Sequence, residues 1–130
     1  MLTAIDHLVL IVSDMDKTIS FYSDVLGMKL ETFTSSNGQK KRKSLKFGQQ
    51  KINLHHLKSP YQPHANNPVS GAVDICFLSS VTIDEWQAIF SKHNISVESG
   101  PVQKTGATGP IVSLYVRDPD LNLIEISNKI

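Results

Sequence analysis

Four polar residues interrupt otherwise apolar, strand-like segments of this sequence. They are His7 in AIDHLVLIV, Asn53 in KINLHHL, Asp74 in AVDICFLS and Glu125 in LNLIEIS. A polar side chain in such a setting needs a partner, because burying it unpaired costs about 1–3 kcal/mol or more. The imidazole of His7 with the carboxylates of Asp74 and Glu125 is a donor set that one divalent metal ion would satisfy. No His-x-x-His or Cys-x-x-Cys signature reinforces it locally, so the fold would have to gather the ligands. Taken singly, each has a plainer reading. His7 could be a satisfied strand residue, Asp74 a cap for the turn after Gly71, and Glu125 a solvent-facing residue of an edge strand.

The elements that must position these residues can be read from hydrophobic periodicity. Residues 4–12 alternate as a strand, with Ile5, His7, Val9 and Ile11 on one face. Ser13 or Asp14 then caps a helix whose apolar residues Met15, Ile19, Tyr22 and Leu26 recur at helical spacing, and Gly27 suits the position just past its end. Strands follow at 28–34, 43–48 and 51–57, the last two forming a hairpin around Gly48-Gln49-Gln50. The basic run from Lys40 to Lys43, after the turn signal Ser36-Asn37-Gly38, reads as a solvated hairpin tip rather than a phosphate site. Residues 58–70, with three prolines among polar residues, read as a linker.

After Gly71 the pattern starts again. A strand at 72–79 leads to a helix opened by a Thr82–Glu85 capping box and striped by Trp86, Ile89 and Phe90. A strand at 95–99 precedes a glycine-containing loop from Gly100 to Pro110, whose 102–110 part could cover a cleft. Residues 111–118 and 121–127 close the chain as a hairpin around Asp118-Pro119-Asp120. Each half thus reads strand, helix, three strands, over 4–57 and 71–128, which are better explained as halves of one sheet-based domain than as solenoid repeats.

Aligning the halves puts His7 on Asp74, Ile19 on Trp86, Met28 on Ile95, SLKF on SLYV, and Asn53 on Glu125. The four polar residues therefore fall on related points of a repeat with pseudo-twofold character. Parity agrees, since Asp74 shares a face with Cys76 and Leu78, while Glu125 points away from Ile124 and Ile126. His55, two residues after Asn53, shares that strand face; it offers a fourth ligand, a general base or a substrate hydrogen bond. His56 points the other way.

The bulk numbers bound the function. A chain of 130 residues can bury a core without staples, and a net charge of +1 gives no reason to expect nucleic acid. The single cysteine, Cys76, suits a reducing cytosol. The opening MLTAIDHLVL has neither the basic start of a signal peptide nor the length of a membrane span, so a cytoplasmic location is expected.

The blocks DHLVLIVSDMDKTISFYSDVLGM (6–28), KINLHHL (51–57), GAVDICFL (71–78) and VRDPDLNLIEIS (116–127) resemble the vicinal oxygen chelate superfamily. That superfamily contains glyoxalase I, fosfomycin- and bleomycin-resistance proteins and extradiol dioxygenases, and the similarity is greatest to its small single-domain glyoxalase-like members. The resemblance implies an α+β fold, with two βαβββ modules giving a curved, mixed, eight-stranded arrangement with a cleft. It also implies a homodimer whose clefts pair modules from two chains, and a divalent metal (Zn, Ni, Mn, Co or Fe(II)). His7 matches the first-strand ligand and Glu125 the last-strand carboxylate ligand. Asp74 stands where many members have histidine, and Asn53 where the glyoxalase I branch has glutamate. On this reading His55 and Glu125 are the catalytic candidates, and Asn53, Tyr115 and Arg117 the substrate contacts.

Three functions compete. The first is a lyase or isomerase of lactoylglutathione lyase type, moving a proton beside a carbonyl of a small oxygenated substrate. The second is extradiol cleavage of a catechol, which uses Fe(II) held by two histidines and a carboxylate. The third is a non-catalytic binder or drug-sequestering module. One imidazole with two carboxylates is an oxygen-rich set, which favours the first over the second. Lys104 and Arg117 could meet an anionic substrate.

Overall fold

The computed structural model describes residues 1–34, 38 and 41–130. The expected hairpin tip at Ser36-Asn37-Gly38, with Lys40, lies outside the described residues except for Gly38. The chain divides into two compact units, Met1–Gly71 and Ala72–Ile130.

The first unit contains β1 (His7–Val12), α1 (Met15–Ile19) running on as a π-helical segment (Ser20–Val25), β2 (Lys29–Thr34), β3 (Lys41–Phe47) and β4 (Gln50–His56). Its sheet has the order β1-β4-β3-β2, with β1 parallel to β4 and the other pairs antiparallel. The second unit contains β5 (Asp74–Leu78), α2 (Ile83–Lys92), β6 (Ser99–Gly106), β7 (Gly109–Arg117) and β8 (Leu123–Lys129). Its order, β5-β8-β7-β6, repeats that of the first, again with one parallel pair, β5 with β8. The fold is α+β, and among the described residues eight strands are hydrogen-bonded as two mixed sheets of four.

Local chemistry explains the helices. Asp14, not Ser13, caps α1, its Oδ1 accepting from the Lys17 amide at 3.0 Å. The helix then widens to a π turn, which leaves the adjacent residues Phe21 and Tyr22 both buried, their rings edge to face at 4.9 Å. Gly27, at φ +80°, ends it in the left-handed conformation that glycine adopts without strain. In the second unit the capping box forms as expected: the Thr82 hydroxyl accepts from the Glu85 amide at 3.2 Å, and the Glu85 carboxylate from the Thr82 amide at 3.0 Å. Ile83, Trp86 and Phe90 bury the apolar stripe of α2.

Each sheet has one apolar and one polar face. In the first, Leu10, Val12, Leu45, Ile52 and Leu54 are buried on the apolar side. In the second, Phe77, Leu114, Val116, Ile124 and Ile126 are buried. The polar residues singled out above take the opposite parity in both sheets.

Three expectations are corrected. The stretch from Gly100 to Pro110 is not a loop over a cleft. It is most of β6 and the start of β7, joined at Ala107-Thr108, with Gly106 and Gly109 facing each other across the ladder. The strand expected at 95–99 overlaps β6 only at Ser99. As the outermost strand, β6 pairs on one side only and leaves nearly all its side chains exposed, so it lacks the alternation that marks a strand. The alignment of SLKF with SLYV is also off by two residues. Leu45 faces Ile52 and Val116 faces Ile124, so Ser44 corresponds to Tyr115, not Ser113. A slip of two leaves every side chain on its expected face.

Candidate functional site

On the polar face of the second sheet, Glu125 is flanked across the ladders by Cys76 on β5 and Tyr115 on β7. Ser113 donates to Glu125 Oε2 at 2.9 Å and Ser127 at 3.2 Å, and the two hydroxyls lie 2.7 Å apart. Burial pushes the Glu125 carboxyl pKa up, but hydrogen bonds from Tyr115, Ser113, Cys76 and Ser127 outweigh it and hold the group below its ordinary value. The same carboxylate, accepting the phenol's hydrogen bond, pushes Tyr115 up to about 12. Burial of its sulfur raises the Cys76 thiol, and the Glu125 charge raises it further against a hydrogen bond with Ser127. Cys76 is therefore a protonated thiol at neutral pH, not a nucleophile.

Asp74 opens β5 on this face and is exposed. Arg117, also on this face, is held by a two-point ion pair with Glu98 at 2.9 and 3.1 Å and donates to the Leu121 carbonyl at 3.2 Å. Lys104 Nζ stands 5.9 Å from the Tyr115 ring centre.

The turn between β7 and β8 is built by two buried residues of the DPDxN motif. Asp118 Oδ1 accepts from the Asp120 and Asn122 amides at 2.9 and 3.0 Å. Asn122 Nδ2 donates to Asp118 Oδ2 at 2.8 Å, and its Oδ1 accepts from the Val73 amide at 2.9 Å. The motif thus ties the last hairpin to the start of β5, setting Glu125 and Asp74 on neighbouring strands.

On the first sheet, His7 opens β1, exposed, with Nδ1 2.8 Å from Asp6 Oδ1. With Nδ1 turned to a carboxylate, Nε2 is the nitrogen left to face a metal, as in carboxylate–histidine–metal arrangements. Asp6 was not among the residues singled out from sequence, although an acid next to a candidate ligand was its signal.

The polar face of the first sheet holds a second group that sequence reasoning largely missed. Ser44 and Asn53 face each other across β3 and β4, and Arg42 and His55, two residues along each strand on the same face, meet beside them. Arg42 Nη2 contacts His55 Nε2. The Arg42 guanidinium lies 4.2 Å from the Tyr61 ring centre and 5.5 Å from that of Phe33, and the rings of His55 and Tyr61 meet edge to face at 5.1 Å. The basic run is therefore no solvated tip as far as it is described. Strand parity turns Arg42 onto this face, half-buried, while Lys41 stays exposed. Lys41, Arg42 and Lys43 also line a pocket of about 410 Å³ with Tyr61 and His56, which is exposed on the opposite parity.

Burial holds the His55 pKa below its ordinary value, aided by the charge of Arg42 and then of His64. Since arginine only donates, His55 Nε2 accepts, and the neutral ring carries its proton on Nδ1. That Nδ1, Arg42 Nε, Ser44 Oγ and Asn53 Oδ1 are buried without a hydrogen-bond partner among the described residues. Each such atom costs about 1–3 kcal/mol.

Among the described residues, no three His, Cys, Asp or Glu side chains come together as a group that could hold a metal. The donor chemistry itself suits a divalent ion: an imidazole with Nε2 free, and a carboxylate held ionised by four donors.

A model of the Glyoxalase/Bleomycin resistance protein/Dioxygenase superfamily matches residues 4–126. The chain belongs to this superfamily. A virulence protein of Salmonella typhimurium is 50% identical over 123 residues, covering 95% of this chain and 82% of the relative. Its crystal structure superposes with a TM-score of 0.90 at 46% identity over 100% of this chain and 99% of that one. A glyoxalase domain-containing protein of Mycosarcoma maydis is 50% identical over 125 residues, 96% of this chain and 68% of that protein. The crystal structure of lactoylglutathione lyase from Agrobacterium tumefaciens has a TM-score of 0.69 at 30% identity, covering 98% of this chain and 94% of that one. Among the described residues no helix is long and apolar enough to cross a membrane.

Proposed function

We propose that this superfamily member is a metal-dependent lyase or isomerase of glyoxalase type, acting on a small oxygenated substrate. The observation that carries the reading is Glu125, kept ionised by Tyr115, Ser113, Cys76 and Ser127 on the sheet face it shares with Asp74. Across the two chains of the C2 homodimer proposed below, His7, through Nε2, and the carboxylates of Asp74 and Glu125 would hold the ion. Bound there, a divalent metal supplies a Lewis acid for the substrate's oxygens. Glu125 is ionised at neutral pH, so a carboxylate oxygen can take a proton from carbon beside a substrate carbonyl. Tyr115 stays protonated far above neutral pH and holds Glu125 in place. His55, proton on Nδ1 and Nε2 turned to Arg42, orients substrate by donating a hydrogen bond. Resemblance to a lactoylglutathione lyase of the same superfamily supports this reaction class.

The same geometry weighs against catechol cleavage. With His55 Nε2 engaged by Arg42, His7 is the one imidazole in the proposed set, and the Fe(II) pattern uses two. The working form is a C2 homodimer in the cytoplasm with a small molecule as its partner, and light scattering at micromolar concentration tests the assembly.

The deciding experiment is calorimetry with Mn, Ni, Co and Zn, followed by anaerobic assays with hemithioacetals and oxygen-uptake assays with catechols. The expected result is about one ion per chain, lost in both His7→Ala and Glu125→Ala, with turnover of a hemithioacetal and no oxygen uptake. Unchanged affinity in both variants overturns the metal assignment. Oxygen uptake with a catechol overturns the reaction class. Absence of turnover, with a ligand still raising the melting temperature, replaces the enzyme by a binding module.

A further inference from the structure

The first unit carries a group of buried polar atoms of which the proposed function uses only the His55 donor. Ser44, Asn53 and His55 are 1%, 6% and 3% exposed, yet each presents a buried polar atom with no partner among the described residues, and so does Arg42 Nε. All four side chains project from the same face of two adjacent strands, with Ser44 paired to Asn53 and Arg42 in contact with His55. Their chemistry is not mixed at random. Arg42 Nε–H and His55 Nδ1–H can only donate, the Ser44 hydroxyl can donate, and Asn53 Oδ1 can only accept. Three donors beside one acceptor, with a guanidinium charge, complement a ligand that has a small anionic oxygen pair and one hydroxyl.

We propose that this face of the first unit is a subsite for a small hydroxycarboxylate group. Arg42, Ser44 and His55 donate to its carboxylate oxygens, and Asn53 accepts from its hydroxyl.

The surroundings fit. Tyr61 and Phe33 stand against the Arg42 guanidinium and supply apolar walls, which strengthen charge-assisted hydrogen bonds by excluding water. Tyr61 comes from the 58–70 segment, so that segment brings a ring over the Arg42–His55 pair. No carboxylate neutralises Arg42 among the described residues. Glu31, which faces Ser44 across β2 and β3, lies 3.8 Å from Lys29 instead. The Arg42 Nη2 contact with neutral His55 leaves the guanidinium charge unmet, and Lys51 Nζ, 4.2 Å from the Phe33 ring centre, makes this face more cationic still, which suits an anionic ligand.

The inference deepens the proposed function by naming a substrate class, but it needs no metal, so the two readings can fail separately. The probes are glycolate, acetate (no hydroxyl), glycolamide (no charge) and inorganic phosphate. Each is titrated into the full chain, with and without chelator, while the imidazole nitrogens are followed by long-range ¹H–¹⁵N NMR. Glycolate should bind with or without chelator, shift the His55 Nδ1 resonance, and bind about tenfold or more tighter than glycolamide. It should exceed acetate by several-fold in the native chain and match it in Asn53→Leu. Arg42→Gln should weaken glycolate about tenfold, its fold checked by the amide spectrum. If that variant fails to fold, the ligand ranking and the Asn53→Leu result in the folded proteins decide. Glycolamide or phosphate binding as well as glycolate, an unmoved His55 Nδ1, or a folded Arg42→Gln that binds glycolate normally each overturn the subsite. Glycolate binding without any metal binding would defeat the enzyme reading alone; metal binding without glycolate binding would defeat the subsite alone.

Discussion

Glu125 lies directly across the β7–β8 ladder from Tyr115, and the phenol donates its hydrogen bond to the carboxylate. Each group shifts the other: the phenol is held protonated up to about pH 12 and the carboxylate is held ionised. In Glu125→Gln the negative charge is gone, so the Tyr115 pKa should fall from about 12 toward its ordinary value of 10. Because the folded value is the raised one, the phenol's contribution to stability is fully present below the unfolded value and is lost as pH rises through the folded value. In the variant this contribution should shrink with the shift that produces it. ¹³C NMR of the tyrosine Cζ carbons resolves Tyr115 from Tyr22 and Tyr61. A value unmoved in the variant would mean that burial, not Glu125, sets it.

Asn122 connects three places in the chain: its own turn, Asp118, and the Val73 amide before β5. It is fully buried, so truncation leaves the Asp118 carboxylate and the Val73 amide short of partners. Asn122→Ala should cost about 2–4 kcal/mol in urea denaturation. A loss below about 0.5 kcal/mol, within the range of ordinary surface substitutions, would refute the staple.

Much of this was legible in the sequence because strand parity and helix caps are local. Asp74 and Glu125 on one sheet face, Asn53 with His55 on another, and the Thr82–Glu85 box all follow from spacing alone. Even the misplaced match of Ser44 kept its face, since a slip of two preserves parity. What sequence could not supply depended on contacts made elsewhere. Strand β6 is an exposed edge, so nothing in SGPVQKTG alternates. Arg42 looked like one of several surface cations. Its role is set by Tyr61, nineteen residues on, and by the strand that faces it. The two-residue offset in β3 arose because SLKF and SLYV are alike in letters while the ladders pair different residues.

Gly100 and Gly48 both have positive φ, but their surroundings differ. At Gly48 (φ +52°) an added Cβ meets nothing within 4 Å, so Gly48→Ala should cost only the left-handed backbone penalty, about 1–2 kcal/mol. At Gly100 (φ +102°) the Cβ would stand 2.3 Å from the Ser113 carbonyl oxygen and 3.1 Å from Leu114 Cα, both backbone atoms of β7. Gly100→Ala should therefore be the more destabilising by thermal melting, and it should disturb the ladder that carries Ser113 and Tyr115. Equal losses in the two variants would show that β6 can move away from β7 without cost.

His55 should make the fold sensitive to acid. Burial, and the Arg42 charge beside it, hold its folded pKa below the unfolded value of 6.5, so the native state keeps the ring neutral where the unfolded chain would already be protonated. Stability from this difference is present above pH 6.5 and is lost as pH falls through the folded value. His55→Gln keeps a polar side chain in the same place but has nothing to titrate. The variant should be less stable than the native protein at pH 7.5, and the gap should narrow as pH drops from 6.5 toward 5. The other four histidines remain in both proteins. The difference between the two curves of unfolding free energy against pH therefore isolates His55. A gap that stays constant over that range would mean that the ring is protonated as readily in the folded chain as in the unfolded one. The Nδ1–H donor inferred from the Arg42 contact would then have no support from titration.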